Sequence, residues 1–415
     1  MTGTRALPSR PRSRAGVAPR RGRALLASGA ALAALVGSGL LAPATASATP
    51  SHSPSHAPAA TASVQRDLDS LVREGRFPAV LASVTDGRGR IRDLAAGVGD
   101  VTTGEPAPVN GRIRMASNTK TFTATVVLQL VAERRIGLDQ TVERYLPGLV
   151  RGPGGDGREI TVRELLQHTS GLPDYDDVVY PDWAESGLTG QFTSQELVEA
   201  GLSLPATPQG VFSYANTNYV LAGMIVEEVT HRSIADQIDR RIIKPLGLRH
   251  TYWPADDDLT IRGRHPHTYS QDVFGGPLTD ITEINPSIGG AAGQLISTPH
   301  DLAVFFGALL DGELLPPAQL AQMKTTVPAP DLSLRGIEME YGLGLASHEL
   351  PCGVEAWGHG GDLPGVHTRN AFTEDGRGAT FTITGEPANV DPEDLHQYVD
   401  WEDAVDDAVC AQPLR

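Results

Sequence analysis

Ser117 and Lys120 stand three residues apart in MASNTKTFTA (115–124). A serine hydroxyl becomes a useful nucleophile when a neighbouring group takes its proton, and a buried lysine can do this because burial disfavours its charged form. On a helical wheel running from Asn118 to Arg135, Ala124, Val127 and Val131 fall within about 40° of Lys120. Leu128 and Leu130 lie to the sides, and Thr121, Thr125, Gln129 and Glu133 take the other face. Lys120 is therefore expected in an apolar stripe, with Ser117 one turn away on the same side. An isolated buried ammonium costs several kcal/mol, so it must be paired, hydrogen-bonded or deprotonated. The plain alternative makes Ser117 an N-cap and lets Lys120 reach water.

Acyl transfer by such a pair needs a second proton carrier, a group that orients the substrate and donors for the oxyanion. Tyr214-Ala215-Asn216 lies between a turn and an amphipathic helix in PQGVFSYANTNYVLAGMIVEEV. A tyrosine beside an ammonium has its pKa lowered and can shuttle protons, and an asparagine amide can hold a carbonyl. His359-Gly360-Gly361, in WGHGGDLPG, enters a strand before a Gly-rich bend, where Gly361 would let a substrate backbone approach the sheet edge.

In this order SNTK, YAN and HGG resemble the three motifs of the serine β-lactamase and penicillin-binding hydrolases. The Y-A-N form is similar to the class C β-lactamase branch, with its secreted D-alanyl-D-alanine carboxypeptidases, esterases and D-amino-acid peptidases. The segments ITVRELLQHTSGLPDY (160–175), IIKPLGLRHTYW (242–253) and SIGGAAGQLISTPHDLAVFF (287–306) resemble further landmarks of that family. The resemblance implies that Ser117 forms an acyl-enzyme, that Lys120 and Tyr214 share the proton transfers, and that Asn216 holds the substrate amide. It places the oxyanion hole at the backbone N–H groups of Ser117 and Asp362, and His359, Gly360 and Gly361 along the substrate. The activity it implies is a D-Ala-D-Ala carboxypeptidase acting on cell-wall peptides and acylated by penicillins.

The third motif departs from the family pattern. Gly360 stands where a hydroxyl residue is usual, and Tyr341 to Trp357 holds no lysine or arginine to meet a C-terminal carboxylate. An esterase, a D-amino-acid amidase or peptidase, or a class C-like β-lactamase is the alternative. A non-catalytic penicillin-binding protein is the alternative of another class.

The elements that must position these residues read from both chain ends. AVLASVTD and IRDLAAGVG flank Gly87-Arg88-Gly89, and HTRNAFTE and ATFTITG flank Asp375-Gly376-Arg377-Gly378, two hairpin signals. Pro392 to Cys410 reads as a closing helix with a stripe of Leu395, Tyr398, Val399, Ala404 and Val405. The middle is mainly helical in pattern. The expected fold is α/β (α+β): one antiparallel sheet built from both ends and flanked by helices, with the α/β part at about 64–125 and 287–415 and a helical insertion at about 126–286.

The chain has 415 residues, enough for a large core. Met1 to Arg23 carries seven arginines and no acid, then runs into ALLASGAALAALVGSGLLA and small-residue sites ending near Ala46, the pattern of a cleaved signal peptide. Residues 47–63, rich in Ser, Pro, Ala and His, read as a disordered linker before a hydrolase domain at 64–415. With those arginines set aside, 27 basic residues face 50 acidic ones, a net charge near −23 that disfavours nucleic acid and anionic lipid. A secreted monomer without a lasting membrane anchor is expected, taking a small peptide or acyl substrate and needing no cofactor or metal. Cys352 and Cys410 are the two cysteines, and in an exported chain they read as a disulfide; secreted carboxypeptidases of the resembling branch place a pair similarly. Two other chemistries have weaker signals. His168, Ser170 and Asp174 supply the residue types of a hydrolase triad without a G-x-S-x-G elbow, and His265, His267 and Asp256 to Asp258 lack H-E-x-x-H spacing.

Overall fold

Every residue of the strand Ala79–Thr85 is buried, which places it in the middle of a sheet covered on both faces. It pairs antiparallel with Ile91–Asp100 through the hairpin and with Gly378–Thr384 from the far end of the chain, in a register from Ala79 opposite Thr384 to Thr85 opposite Gly378. This computed structural model describes residues 56–74, 77–271, 277–333, 337–385 and 395–413. The signal and early linker expectations, residues 1–55, lie outside them.

Among the described residues the sheet has ten strands and joins an early segment of the chain to a late one. Its path runs Glu105–Pro106, Ile91–Asp100, Ala79–Thr85, Gly378–Thr384, Val366–Phe372, Glu355–Gly358, Ala346–Glu349, Glu340–Tyr341, Val327–Pro328, and the short strand Gly361–Leu363 pairs with Val366–Phe372 beside that path. On one face the helices His56–Arg73 and Leu395–Cys410 pack Val64, Leu68, Trp401, Val405 and Val409 against Val80, Val84, Phe381 and Ile383. On the other, Pro299–Leu310 covers Ala79–Thr85 and Gly378–Thr384 and carries Phe305 and Phe306 into the larger core of the helical region. Cys352 and Cys410 form a disulfide, which fastens the C-terminal helix to the turn before Glu355–Gly358.

Two expectations change. The first helix starts at His56, inside the stretch read as linker up to residue 63. Its proline, Pro58, falls in the first turn, where a missing N–H costs little, and Val64 and Leu68 then bury the helix against the sheet. In the closing helix, the residues before Trp401 lie outside the described side chains; Trp401 is wholly buried, Val405 is buried and Ala404 partly so.

The helix after Ser117 spans Thr119–Ala132 and does not have the two faces that its sequence suggests. Thr121 and Thr125 are as buried as Lys120 and Val127. Threonine hydroxyls allow this by bonding to carbonyls: Thr121 Oγ1 to Gly344 O at 2.8 Å, Thr123 Oγ1 to Ala291 O at 2.8 Å and Thr125 Oγ1 to Thr121 O at 2.7 Å. Four threonines and three valines give this helix poor intrinsic propensity, so its burial on all sides holds it. Lys120 is buried, as expected, because the helix is interior on every side from Thr119 to Leu128.

Candidate active site

Ser117 lies in the single turn Ala116–Asn118 that leads into this helix, just after Ala116, whose φ of 47° is left-handed. That conformation costs roughly 1–2 kcal/mol in a residue with a Cβ. Ser117 is partly exposed while Met115, Ala116, Asn118, Thr119 and Lys120 are buried, so the turn presents its hydroxyl and little else. No side-chain cap bond is made at either helix start, which sets aside the N-cap reading of Ser117.

Lys120 Nζ lies 3.0 Å from Ser117 Oγ, 2.6 Å from Asn216 Oδ1 and 3.1 Å from the Ala292 carbonyl oxygen. Burial pulls its pKa down to about 7 against the opposing pull of Asp174, Asp176 and Asp362. A neutral amine has two hydrogens and one lone pair. Directed at Asn216 and Ala292, the two hydrogens leave the lone pair facing the Ser117 hydroxyl. Tyr214 also hydrogen-bonds Ser117, and burial with Tyr341 nearby drives its phenol well above its usual pKa. The expectation that the lysine lowers the tyrosine's pKa is therefore reversed: Tyr214 keeps its proton, and Lys120 is the group that titrates near neutrality.

Asn216 opens the helix Asn216–Thr230 and connects Lys120 to two acids. Its Nδ2 donates to Asp176 Oδ2 at 2.8 Å and to Asp174 Oδ2 at 3.2 Å. Burial raises both carboxyls, and Asp176, next to Asp174, reaches about 7. Among the described residues no arginine or lysine forms an ion pair with either. Asp176, Asn216, Ser117 and Asp362 wall one cleft together with Tyr175, Tyr180, Trp183, Ile288, Leu363 and Pro364.

The third motif sits differently. A Cβ on Gly361 would lie 2.3 Å from Met115 O and 2.6 Å from Asn118 Nδ2. Its missing side chain lets the strand pack on the turn of Ser117 itself. Gly360 is covered by Arg369, whose Nη1 would be 3.1 Å from a Cβ there. His359 is buried with Nε2 2.8 Å from the Tyr341 hydroxyl and Nδ1 2.6 Å from Gly360 O, and burial, then Lys120, push its pKa down to about 3. His359 and Gly360 line a neighbouring cavity with Arg369 and Glu402, while Asp362 faces the cleft of Ser117.

The structure thus gathers Ser117, Lys120, Tyr214 and Asn216 around one hydroxyl. Sequence reasoning missed Asp176 and Arg369. Asp176 stands in the acid-rich run DYDD just after the HTSGLP landmark, and that run was its signal; Arg369 is brought to Gly360 from an adjoining strand and had none. The alternative triad is not assembled: His168 Nδ1 accepts a backbone N–H from Ala215 at 3.2 Å, and Ser170 Oγ donates to Asn218 Oδ1 at 2.5 Å. Among the described residues no His, Cys, Asp and Glu cluster could hold a metal ion.

Comparison with known proteins gives the chain its relatives. The chain is 29% identical over 307 residues to a penicillin-binding protein 4 of Amycolatopsis lactamdurans, covering 72% of this chain and 78% of that one. It is 28% identical over 342 residues to a D-aminopeptidase of Cereibacter sphaeroides, covering 79% of this chain but only 60% of that longer protein. The solved D-stereospecific amidohydrolase of a Streptomyces species is 39% identical, with a TM-score of 0.71 and coverage of 82% of this chain and 98% of that one. The family profile described as Beta-lactamase matches residues 64–400, and the chain belongs to that family of serine hydrolases.

Proposed function

We propose that this hydrolase cleaves amides or peptides of D-amino acids whose α-ammonium is free, through an acyl-enzyme on Ser117. The observation that carries this is Asp176: a half-buried carboxylate in the cleft wall, fixed by Asn216 and without a basic partner among the described residues. A substrate ammonium is the group that such a carboxylate lacks. The opposite demand, a cation for a C-terminal carboxylate, is poorly met. Arg369 is the guanidinium beside the third motif, and it already binds Asp362 at 2.8 Å and Glu402 at 2.7 Å. Tyr180, Trp183 and Leu363 supply an apolar wall for the side chain of the acyl residue. The D preference rests on the relatives named D-aminopeptidase and D-stereospecific amidohydrolase.

In this mechanism neutral Lys120 takes the Ser117 proton as Oγ attacks the carbonyl carbon. Backbone N–H groups of Ser117 and Asp362 receive the oxyanion. The C–N bond breaks as Tyr214 gives its phenolic proton to the leaving nitrogen, and Lys120 then returns a proton to Tyr214. Water repeats the sequence on the ester. The disulfide supports an exported setting, with residues 1–46 removed.

A D-Ala-D-Ala carboxypeptidase is the second reading, favoured by the likeness to a penicillin-binding protein 4. One experiment separates them: hydrolysis of D-phenylalaninamide, its N-acetyl derivative and an N-acylated peptide ending in D-Ala-D-Ala, with intact mass of any adduct on Ser117. The free amide is expected to react at least tenfold faster than its acetylated form. Release of D-alanine alone would establish the second reading, and no turnover with no adduct would remove both.

A further inference from the structure

The segment from His168 to Asp176 is joined to the segment from Tyr214 to Asn218 almost bond by bond. His168 Nδ1 accepts the Ala215 N–H at 3.2 Å and lies 3.2 Å from Asn218 Nδ2, while Ser213 N–H donates to the His168 carbonyl at 2.8 Å. Ser170 Oγ bonds Asn218. Thr217 Oγ1 donates to Pro173 O at 2.6 Å and accepts the Tyr175 N–H at 3.1 Å. The imidazole of His168, wholly buried, stacks on the Tyr214 ring with centroids 4.3 Å apart and planes 28° from parallel.

These contacts define the state of the ring. Nδ1 accepts, so the proton sits on Nε2, which has no hydrogen-bond partner among the described residues and is enclosed by Tyr219 and Tyr341, with ring centroids 5.2 and 5.1 Å away. The backbone of His168 is left-handed, at φ 56°, and the fold holds it there. A phenol that must meet one serine oxygen gains from a fixed ring plane, since a shift of about 1 Å can cost on the order of a hundredfold in rate.

We infer that His168 is a positioning residue for Tyr214: its stacked ring and its Nδ1 acceptor together hold the Tyr214-Ala215-Asn216 turn so that the phenol meets Ser117 Oγ. This rests on the reading that Tyr214 serves Ser117 in proton transfer. His168 itself touches neither the serine nor the substrate cleft.

The test is a double-mutant cycle on nitroaniline release from D-phenylalanine para-nitroanilide, whose leaving nitrogen must take a proton, with thermal midpoints measured alongside. His168→Asn suits the left-handed backbone and is expected to fold. It should lower kcat ten- to a hundredfold with KM changed less than threefold. In a Tyr214→Phe background the same substitution should change the rate less than threefold, because the ring that it positions no longer carries a proton. The full factor in both backgrounds, or an unchanged kcat in the single variant, would overturn the inference. Should His168→Asn fail to fold, His168→Phe, which keeps a ring against Tyr214 and lacks the acceptor, is judged by the same cycle. If wild type releases nitroaniline no faster than Ser117→Ala, the functional reading itself falls; an active wild type with an additive cycle removes His168 alone.

Discussion

Two flanks of Ser117 handle charge in opposite ways. On the helical flank, Asp174 and Asp176 share the amide of Asn216 and, among the described residues, have no basic partner but Lys120, which reaches them only through that amide. On the sheet flank, Arg369 is saturated by Asp362 and Glu402. One flank keeps an unsatisfied demand for a cation, and the other has closed its own account. The difference teaches where recognition resides: a charge already paired in the protein costs a ligand its partner, whereas an unpaired buried carboxylate binds a cation at little further desolvation cost.

Lys120→Met gives the largest expected effect, because that amine serves both the serine and the acidic flank. Acylation of Ser117, followed by adduct mass over time, should slow about a thousandfold, within the usual contribution of a general base. A loss under tenfold would transfer the base role to Tyr214 and detach Lys120 from the chemistry. Arg369→Met tests the other flank. It takes from Glu402, which is nearly buried, the guanidinium bonded to it at 2.7 Å, and should destabilise the fold by about 3 kcal/mol in urea unfolding, at the low end for broken buried pairs because Asp362 is half exposed. Its effect on kcat/KM for free D-amino-acid amides should stay under tenfold.

Asp176→Asn sharpens the comparison further. Free D-amino-acid amides should lose ten- to a hundredfold in kcat/KM, with N-acetylated counterparts changed less than threefold. Equal losses on both substrates would mean that Asp176 only orients Asn216.

What could be read in the sequence was chemistry local to one segment or marked by motif order. Ser117 beside Lys120, the Tyr214 and Asn216 partners and the two hairpins are of this kind, and the disulfide followed from two cysteines in a chain expected to be exported. What could not be read depends on contacts between segments. A helical wheel assigns Thr121 and Thr125 to water because it cannot see the carbonyl of Gly344 waiting for a hydroxyl. Gly361 looks like room for a substrate until Met115 O is placed against it, and Gly360 looks empty until Arg369 arrives from Val366–Phe372. Asp176 lies forty residues before Asn216 in the chain, and only the packing of Pro173 and Tyr175 on Thr217 brings it to the cleft.

The pH dependence carries the smallest and most discriminating difference between the flanks. Burial lowers Lys120 to about 7, and burial with Asp174 raises Asp176 to about 7. Both groups are active when deprotonated, the first as base and the second as the ammonium's partner, so activity is lost as pH falls through 7. For a free-amine substrate both protons must leave, and log kcat/KM should climb with a slope approaching two below pH 7, then decline above about 8 as the substrate's own α-ammonium deprotonates. An N-acetylated substrate requires only Lys120, so its slope should be one, with no decline at 8. Asp176→Asn should reduce the first slope to one. Because the Asp176 charge pulls the Lys120 pKa upward, the same substitution should move the acid limb for the acetylated substrate to lower pH. A limb that moves upward, or slopes that are equal for the two substrates in wild type, would break the assignment of ammonium recognition to the helical flank.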